Sequence, residues 1–488
     1  MSKAFSRIFV LPSSETKFVL MEIMRLIKAN QKSEIHFYCN TKEDIKFYKK
    51  YYSSEVMNSI NKISTLYENL GVKNLDSKSV IEQSKVYEDK LGYPINYLAV
   101  SDRHLGRGYA LGGFKHPRSR YSQETTYLQM LNAYNKTLKY WEDEINLKNP
   151  TLIIGGGKIL ATIARSKGIP YRFMAGSRYK NYFYWAEDEY FYSSRLKEAF
   201  DSSDILSAAE VDSPYKSHLV NREIFLKSTN LLFIIKSIIL LLARRTYWRL
   251  RRYEKGRGYF TLDELFLVLR RWKDGHLMTG KKMHRLSDMG NSKFVYYPLH
   301  TEPETALQTL SPEYFYQLSC IAALSRDLPA GTVLAVKDTL AAIGRRPRDF
   351  YAQILEFKNV VLLDVREFGL EVAKKSSAVA TITGTGGFEA AVMGKPVISF
   401  GRHNLYNFLS HVRVINDETK LKEDLVWALK DDFDVKTAKI EGAKFLEGVK
   451  NISFNMEEFT AINGKNFSDI AIKRAYENLY KSINGLKD

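Results

Sequence analysis

The sequence has few cysteines and lacks both a secretory signal peptide and a membrane-spanning segment. Cys39 and Cys320 are the two cysteines among 488 residues, and their spacing fits neither a disulfide framework nor a zinc site. A reducing compartment is therefore expected. The first residues contain too short an apolar run for a secretory signal peptide, and no uncharged apolar stretch is long enough to span a bilayer. The sequence predicts a cytoplasmic protein.

Acidic side chains are also scarce relative to basic ones. The chain has 73 Lys and Arg residues against 55 Asp and Glu residues, which gives a formal net charge of +18. Such a surplus indicates an anionic partner, which would be a nucleic acid, an acidic membrane surface, or a phosphorylated or acidic sugar. The sequence shows no helix-turn-helix, zinc-finger spacing or RNP signature, so we expect no nucleic-acid partner.

Short apolar runs alternate with helix-length segments in two parts of the chain, which predicts an α/β fold with parallel sheets covered on both faces. The strands predicted in the first part are Arg7–Leu11, Glu34–Tyr38, Tyr97–Val100, Thr151–Ile154 and Tyr171–Met174. Those predicted in the second part are Phe294–Tyr297, Thr332–Val336, Val360–Leu363, Ala378–Ile382 and Pro396–Phe400. From Lys420 onwards the pattern is helical only and includes a helix around Ile470–Ile483.

A segment of different composition separates the two parts. Leu231–Ala243 is apolar except for Lys236 and Ser237, and Arg244–Gly258 is rich in arginine and aromatic residues. Thirteen residues are too few to cross a bilayer. The segment is either a peripheral anchor on the anionic inner face of the cytoplasmic membrane, or a core helix followed by a solvated basic face.

The glycine turn Gly384–Gly387 lies between a predicted strand and a predicted helix that begins near Phe388. Such a turn exposes backbone N–H groups at a helix N-terminus, where the helix dipole favours a phosphate. The hydroxyls of Thr383 and Thr385 are further donors. Alternatively, the glycines only satisfy the sterics of a tight turn.

The run TGTGGFEAAVMGKPVISFG, Thr383–Gly401, resembles the signature of the capsular polysaccharide biosynthesis glycosyltransferases, a group that includes bacterial Kdo transferases of capsule and lipopolysaccharide assembly. Three further segments match in the same order: Phe294–Glu304, Val333–Arg346 and Asn404–Phe408. The resemblance implies a GT-B architecture, in which two facing Rossmann-like domains bind the acceptor mainly on the N-terminal one and the donor nucleotide on the C-terminal one. The expected divisions are an acceptor domain over 1–215, a helical basic connecting segment over 216–290, a nucleotide-sugar domain over 291–420, and C-terminal helices over 421–488 that pack back.

The resemblance and the positions of polar residues nominate a donor-binding set. Lys337 lies at the C-terminal end of a strand, where α/β sheets bind ligands, although a solvated lysine is the open alternative. Many relatives carry His-Pro after this lysine, whereas this chain has Asp338, Thr339 and Leu340, so the nucleotide stays open between CMP and UDP. Arg345 and Arg346 either contact an anionic substrate or stabilise the fold. Glu389 either accepts from ribose hydroxyls or stabilises the helix dipole. The predicted donor-binding residues are His300, Glu302, Lys337, Arg345, Thr383, Gly384, Thr385, Gly386, Gly387 and Glu389.

Candidate catalytic residues lie in Ser101–Gly108, a loop that follows a predicted strand. Glycosyl transfer needs a base for the acceptor hydroxyl, or a carboxylate nucleophile if configuration is retained. Asp102 and His104 are the predicted catalytic residues. Alternatively, Asp102 orients Arg103 or caps a turn.

These observations predict a metal-independent glycosyltransferase that needs no cofactor beyond its CMP- or UDP-sugar donor. Its expected acceptor is a growing bacterial surface polysaccharide or a lipid-linked glycan. The alternatives are a nucleotide-sugar 2-epimerase of the same fold, a basic nucleic-acid-binding protein, and a non-catalytic protein.

Overall fold

The computed structural model describes residues 3–13, 16–51, 55–63, 66–105, 117–208, 222–227, 229–252, 259–280, 282–302, 304–456 and 469–484. Contacts within the chain divide it into two compact units. The first unit comprises Met1–Ser101, Glu124–Ser203 and Glu447–Asp488, and the second comprises Asp102–Gln123 and Asp204–Leu446.

Both units are built from strands that alternate with helices. The described strands are β1 (Arg7–Leu11), β2 (Glu34–Cys39), β3 (Ser59–Lys62), β4 (Leu152–Gly155), β5 (Tyr171–Gly176), β6 (Tyr182–Ala186), β7 (Lys293–Pro298), β8 (Thr332–Lys337), β9 (Val360–Leu362), β10 (Ala378–Thr381), β11 (Val397–Ser399), β12 (Val412–Val414) and β13 (Ser453–Asn455). The described α-helices are Lys17–Asn30, Lys42–Tyr51, Ser77–Leu91, Ile95–Val100, Arg120–Glu124, Tyr127–Lys148, Gly157–Ser166, Ser194–Asp201, Leu231–Leu250, Thr261–Leu277, Thr305–Gln308, Gln317–Asp327, Phe350–Glu356, Gly369–Lys375, Thr385–Val392, Leu421–Ala428, Val435–Ile452 and Asp469–Asn484.

The sheet of the first unit is buried on both faces. Its strand order is β13-β6-β5-β4-β1-β2-β3, in which β6 runs antiparallel to β5, and β13 antiparallel to β6. Along β1, Ile8 and Val10 join one hydrophobic core, whereas Phe9 and Leu11 join a second core. Because alternate side chains of a strand point to opposite faces, this explains why β1 is a continuous apolar run.

The sheet of the second unit has six parallel strands in the order β12-β11-β10-β7-β8-β9. Read from β7 as the first strand, this is the doubly wound order 3-2-1-4-5-6. The chain reverses its direction of progress between β7 and β10, which are adjacent in the sheet. The crevice at the carboxyl ends of these two strands is the switch point at which such folds bind ligands.

The prediction of two α/β units with parallel sheets is confirmed, but two elements were predicted wrongly. Tyr97–Val100 is the end of a helix, Ile95–Val100, in which Ile95, Leu98 and Ala99 are buried at helical spacing. A short apolar run does not by itself distinguish a buried helix from a strand. The region after Lys420 is not helical only, since β13 pairs with β6 at the edge of the first sheet.

The apolar and basic segment forms a long helix that groups with the second unit. Leu231–Leu250 is a single helix of 20 residues that packs along Thr261–Leu277. An ion pair between Arg245 and Glu264 joins the two helices. Among the helices that the structure describes, none combines the length and the apolar character needed to cross a bilayer.

Candidate functional site

The loops that follow β7 and β10 are joined by a hydrogen bond at the switch point of the second unit. The Nε2 atom of His300 lies 3.0 Å from the backbone nitrogen of Thr383, which donates to it, and 2.5 Å from the carbonyl oxygen of the same residue. Both residues are buried. The structure therefore brings together two members of the predicted donor-binding set that are far apart in the sequence.

The helix Thr385–Val392 begins directly at this junction. By helix geometry, the N–H groups of Thr385, Gly386 and Gly387 have no acceptor within the helix. Gly384 precedes them with a φ of 97°, a value that favours glycine. The Thr383 hydroxyl oxygen is buried and has no hydrogen-bond partner within the described parts of the chain. Free N–H donors and the positive end of the helix dipole thus lie at the half-exposed residues Gly384, Thr385 and Gly386, which is a suitable arrangement for an anion.

Packing accounts for one of the glycines without any ligand. A Cβ atom on Gly387 would lie 2.2 Å from the hydroxyl oxygen of Tyr406 and 2.6 Å from Cγ2 of Thr381. On Gly386 it would lie 3.1 Å from Cγ of Pro298. The steric interpretation of the turn therefore holds for Gly387, whereas Gly384, Thr385 and Gly386 are half-exposed at the edge of the sheet.

A buried charge network connects the loops after β7 and β8. The carboxylate of Asp338 accepts hydrogen bonds from Nε (3.0 Å) and a terminal nitrogen (2.7 Å) of Arg346, and from the Tyr351 hydroxyl at 2.7 Å. Arg346 also donates to the carbonyl oxygen of His300 at 2.6 Å and lies 3.5 Å from the carboxylate of Glu302. The contacts of Arg346 are thus made inside the fold, where they fix the position of His300.

Glu302 lies within this network and belongs to the predicted donor-binding set. It is buried and accepts a hydrogen bond from the side-chain amide of Gln317, which also donates to the carbonyl oxygen of His300 at 3.0 Å. Burial raises the pKa of Glu302, while Arg346 opposes the shift. Its contacts within the structure hold the loop after β7 in place.

Lys337 ends β8, next to the switch point. Its side chain is buried, and Nζ donates to the carbonyl oxygen of Asp338 at 3.0 Å. Burial lowers the pKa of Lys337 to about 8, against the attraction of Asp338 and Asp364. The ammonium is therefore mostly charged at neutral pH but loses its proton under mildly alkaline conditions.

Glu389 lies in the helix that follows the glycine turn and is 4% exposed. Burial raises its pKa to about 8, although Lys374 opposes the shift. At neutral pH most of this carboxyl group is protonated, so it can donate one hydrogen bond as well as accept others. The contact with ribose hydroxyls stays a prediction.

Arg345 belongs to a cluster of arginines beside the loop after β8. Its pKa is lowered by burial and by repulsion from Arg271 and Arg103. The backbone at Gly344 approaches the backbone at Arg271 closely, since a Cβ atom on Gly344 would lie 2.6 Å from the backbone nitrogen of Arg271. Arg345 is half-buried.

The predicted catalytic residues follow the helix Ile95–Val100 rather than a strand. One carboxylate oxygen of Asp102 accepts from the N–H groups of His104 (2.7 Å) and Leu105 (2.8 Å). This is the turn-capping geometry that the sequence left open as an alternative. Nδ1 of His104 lies 2.8 Å from the hydroxyl of Ser119, and its ring lies 4.9 Å from the ring of Tyr259. Of the predicted loop Ser101–Gly108, residues 106–108 lie outside the described ranges.

Asp102 and His104 group with the second unit, although the sequence assigned them to an N-terminal domain. The side-chain amide of Gln308 lies 3.5 Å from the carbonyl oxygen of Asp102. Gln308 ends the short helix that follows His300 and Glu302. The predicted catalytic loop and the predicted donor-binding residues therefore belong to one unit, and their roles stay predictions.

Sequence reasoning missed three residues that hold the switch point together. Gln317 contacts His300, Asp338 contacts Arg346, and Tyr351 donates to Asp338. Asp338 had a signal, because a polar residue directly after a strand lies at the binding edge of a parallel sheet. Gln317 and Tyr351 lie in helices and carry no local signal.

No family model matches the chain, and no curated protein matches it. Solved structures that resemble it include the beta-Kdo 2,7 transferase KpsC of Thermosulfurimonas dismutans, with 14% identity, 72% of this chain and 90% of that chain covered, and a TM-score of 0.31. The UDP-GlcNAc 2-epimerase of Neisseria meningitidis bound to UDP-GlcNAc has 10% identity and a TM-score of 0.25, with 99% of this chain and 100% of that chain covered. The calicheamicin glycosyltransferase CalG4 has 10% identity, covers 100% of both chains, and has a TM-score of 0.28. Likenesses at this level do not assign the chain to a family.

Proposed function

We propose that the protein is a glycosyltransferase that binds a nucleotide-activated sugar at the switch point of its second unit. The observation that carries the proposal is the junction of His300 with Thr383, which places a buried hydroxyl, unpartnered within the described residues, directly before the first N–H groups of the helix Thr385–Val392. The donor is a CMP- or UDP-sugar, and the acceptor is a growing bacterial surface polysaccharide or a lipid-linked glycan.

The residues around this point suit the departure of a nucleotide. In the transfer step, the bond between the sugar and the donor phosphate breaks, and its electron pair stays on the phosphate oxygen. N–H groups at the helix N-terminus and the Lys337 ammonium stabilise the charge that develops there. The neutral carboxyl group of Glu389 contacts the ribose hydroxyls.

The acceptor hydroxyl forms the new bond to the sugar and gives up its proton. We assign His104 as the base that accepts this proton, because an imidazole is suited to accept a proton near neutral pH. The hydroxyl of Ser119 orients the His104 ring. Asp102 holds the turn that positions His104. A His104→Ala variant is expected to lower kcat more than it changes the KM for the donor.

Thermal stabilisation by nucleotides tests the donor site. CMP, UDP and GDP are added separately, and one of them should raise the Tm of the wild-type protein. Thr383→Val removes the buried hydroxyl while keeping the shape of the side chain, so it should weaken this stabilisation. Thr332→Val, at the amino end of β8, is the matched control because that buried threonine lies at the opposite end of the strand from the switch point. If the nucleotide raised the Tm of both variants equally, the nucleotide-binding site would not include the Thr383 hydroxyl and would have to lie elsewhere.

Product analysis separates glycosyl transfer from epimerisation. A transferase releases the nucleotide when both donor and acceptor glycan are present. Conversion of the nucleotide sugar into its epimer, with no dependence on an acceptor, would overturn the transferase proposal in favour of an epimerase.

A further inference from the structure

The helix Leu231–Leu250 turns an apolar side away from the protein. Ile234 and Leu241 are buried on its inner side. About a quarter turn from this inner side, the exposed fractions are 59% for Leu231, 48% for Ile235 and 44% for Leu242. Residues spaced by four and by seven positions lie on one face of a helix, so these side chains form a continuous stripe. Leu232 and Ile239, at 76% and 60% exposed, lie beside it.

The neighbouring helix carries a similar stripe. In Thr261–Leu277, the exposed fractions of Leu262, Phe266 and Leu269 are 66%, 58% and 45%. These residues are also spaced by four and by three positions, which places them on one face. Single exposed leucines are ordinary on a soluble protein, but two apolar stripes on adjacent helices mark an interaction surface.

The first helix becomes basic and aromatic towards its C-terminal end. Arg244, Arg249 and Arg251 are exposed there. The guanidinium of Arg244 lies 5.0 Å from the ring centre of Trp248, and that of Arg251 lies 5.9 Å from that of Tyr247. Arginine with tryptophan and tyrosine is the combination that suits the headgroup region of an anionic membrane.

We propose that the exposed stripes of Leu231–Leu250 and Thr261–Leu277 dock onto the surface of an anionic lipid bilayer, with the helices lying in the plane of the interface. Neither helix combines the length and the apolar character needed to cross it. The basic residues at this surface are attracted by an anionic bilayer. A second copy of this chain would instead bring arginines towards arginines, so we favour the bilayer as the partner. The proposal is independent of the reaction that the protein catalyses.

Vesicle flotation of the full chain tests the proposal. The protein should float with vesicles of phosphatidylcholine and phosphatidylserine, remain in solution with vesicles of phosphatidylcholine alone, and be released by high salt. Leu232→Ser/Ile239→Ser should lower the bound fraction by removing apolar contact. Arg249→Glu/Arg251→Glu should weaken binding about tenfold or more, because each basic residue contributes to attraction by an anionic surface.

The matched control is Leu147→Ser, a substitution of a leucine that is 77% exposed in the helix Tyr127–Lys148 of the first unit. It should float like the wild type. Far-ultraviolet circular dichroism and unchanged Tm values establish that each variant is folded. Recovery of the wild type in the soluble fraction with anionic vesicles overturns the proposal. A dimer in light scattering that dissociates in Leu232→Ser/Ile239→Ser also overturns it, by assigning the surface to a second copy.

Discussion

The imidazole of His300 and the backbone of Thr383 connect two strands of the second sheet at the point where the chain reverses its order. The Nε2 atom of His300 is 3.0 Å from the Thr383 nitrogen, and the loops that carry the two residues follow β7 and β10. The backbone of His300 is held in turn by Gln317, whose carboxamide oxygen is 2.7 Å from the His300 nitrogen. The carboxyl edge of the sheet is therefore positioned before any ligand arrives.

Removal of this imidazole should weaken the fold. We expect His300→Ala to lower the free energy of unfolding by about 1–3 kcal/mol, because the buried N–H of Thr383 loses its acceptor. His276→Ala is the control, since that histidine is exposed. Urea unfolding measures both variants. An unfolding free energy for His300→Ala equal to that of wild type would contradict the bridging role.

The buried ion pair of Arg346 with Asp338 should show strong coupling. Arg346→Met alone is expected to cost about 3–5 kcal/mol, because it leaves the Asp338 carboxylate buried without its cation. Addition of Asp338→Leu removes that charge, so the double variant should cost less than the sum of the two single changes. Arg326→Met, which breaks the surface pair with Asp327, should have little effect. If the losses of unfolding free energy in the two single variants added up to the loss in the double variant, the two side chains would not be coupled.

Glu389 should give stability a specific pH dependence. Burial raises its pKa from 4.5 to about 8 in the folded protein. The folded state therefore retains a proton that the unfolded state has lost, and this contribution is full below pH 4.5 and declines as the pH rises towards about 8. Between these limits, wild type should lose stability relative to Glu389→Gln.

The measurement for Glu389 is urea unfolding at several pH values within that window. Glu356→Gln is the control because Glu356 is exposed, and its curve should run parallel to that of wild type. Parallel curves for wild type and Glu389→Gln would show that the carboxyl group does not hold a proton in the folded state.

Lys337 should make nucleotide binding sensitive to alkaline pH. Burial lowers its pKa to about 8, so the charge that attracts a phosphate declines as the pH rises through this value. Lys337→Met should reduce the nucleotide-induced rise in Tm at neutral pH. In this variant, the rise in Tm should then change little between neutral and alkaline pH. The exposed Lys358→Met is the control. Nucleotide titrations monitored by Tm measure the effect, and an unchanged response in Lys337→Met would exclude a contact with the donor.

The sequence specified the central strands of both sheets and the edge strand β9, but it did not specify β6 or the edge strands β3, β12 and β13. β1 lies at Arg7–Leu11, the predicted range, because every buried position of a central strand must be apolar. β13 spans three residues, Ser453–Asn455, and depends on β6 as a partner, so no local pattern marks it. Tyr97–Val100 was assigned to the wrong element because a run of four apolar residues fits either a helix or a strand.

The candidate site divides in a similar way. The turn Gly384–Gly387 was predictable because a strand, glycines and a helix follow one another within a few residues. The contacts of His300 with Thr383 and Gln317 were not, because they join separate elements through the folded sheet. The capping role of Asp102 is local, and the sequence had included it among two alternatives.

The first unit includes residues from near the end of the described chain. Arg172 donates to the hydroxyl of Ser482 at 2.9 Å, and Trp185 donates to the carbonyl oxygen of Ala475 at 3.0 Å. During synthesis, domains generally fold from the N-terminus as they emerge from the ribosome. Here, β6 remains an uncovered sheet edge until Ser453–Asn455 has emerged, and the burial of Arg172 waits for Ser482. The unit that begins translation first is therefore completed last, and a nascent chain interrupted before Ser453 would carry an open sheet edge prone to pair with other chains.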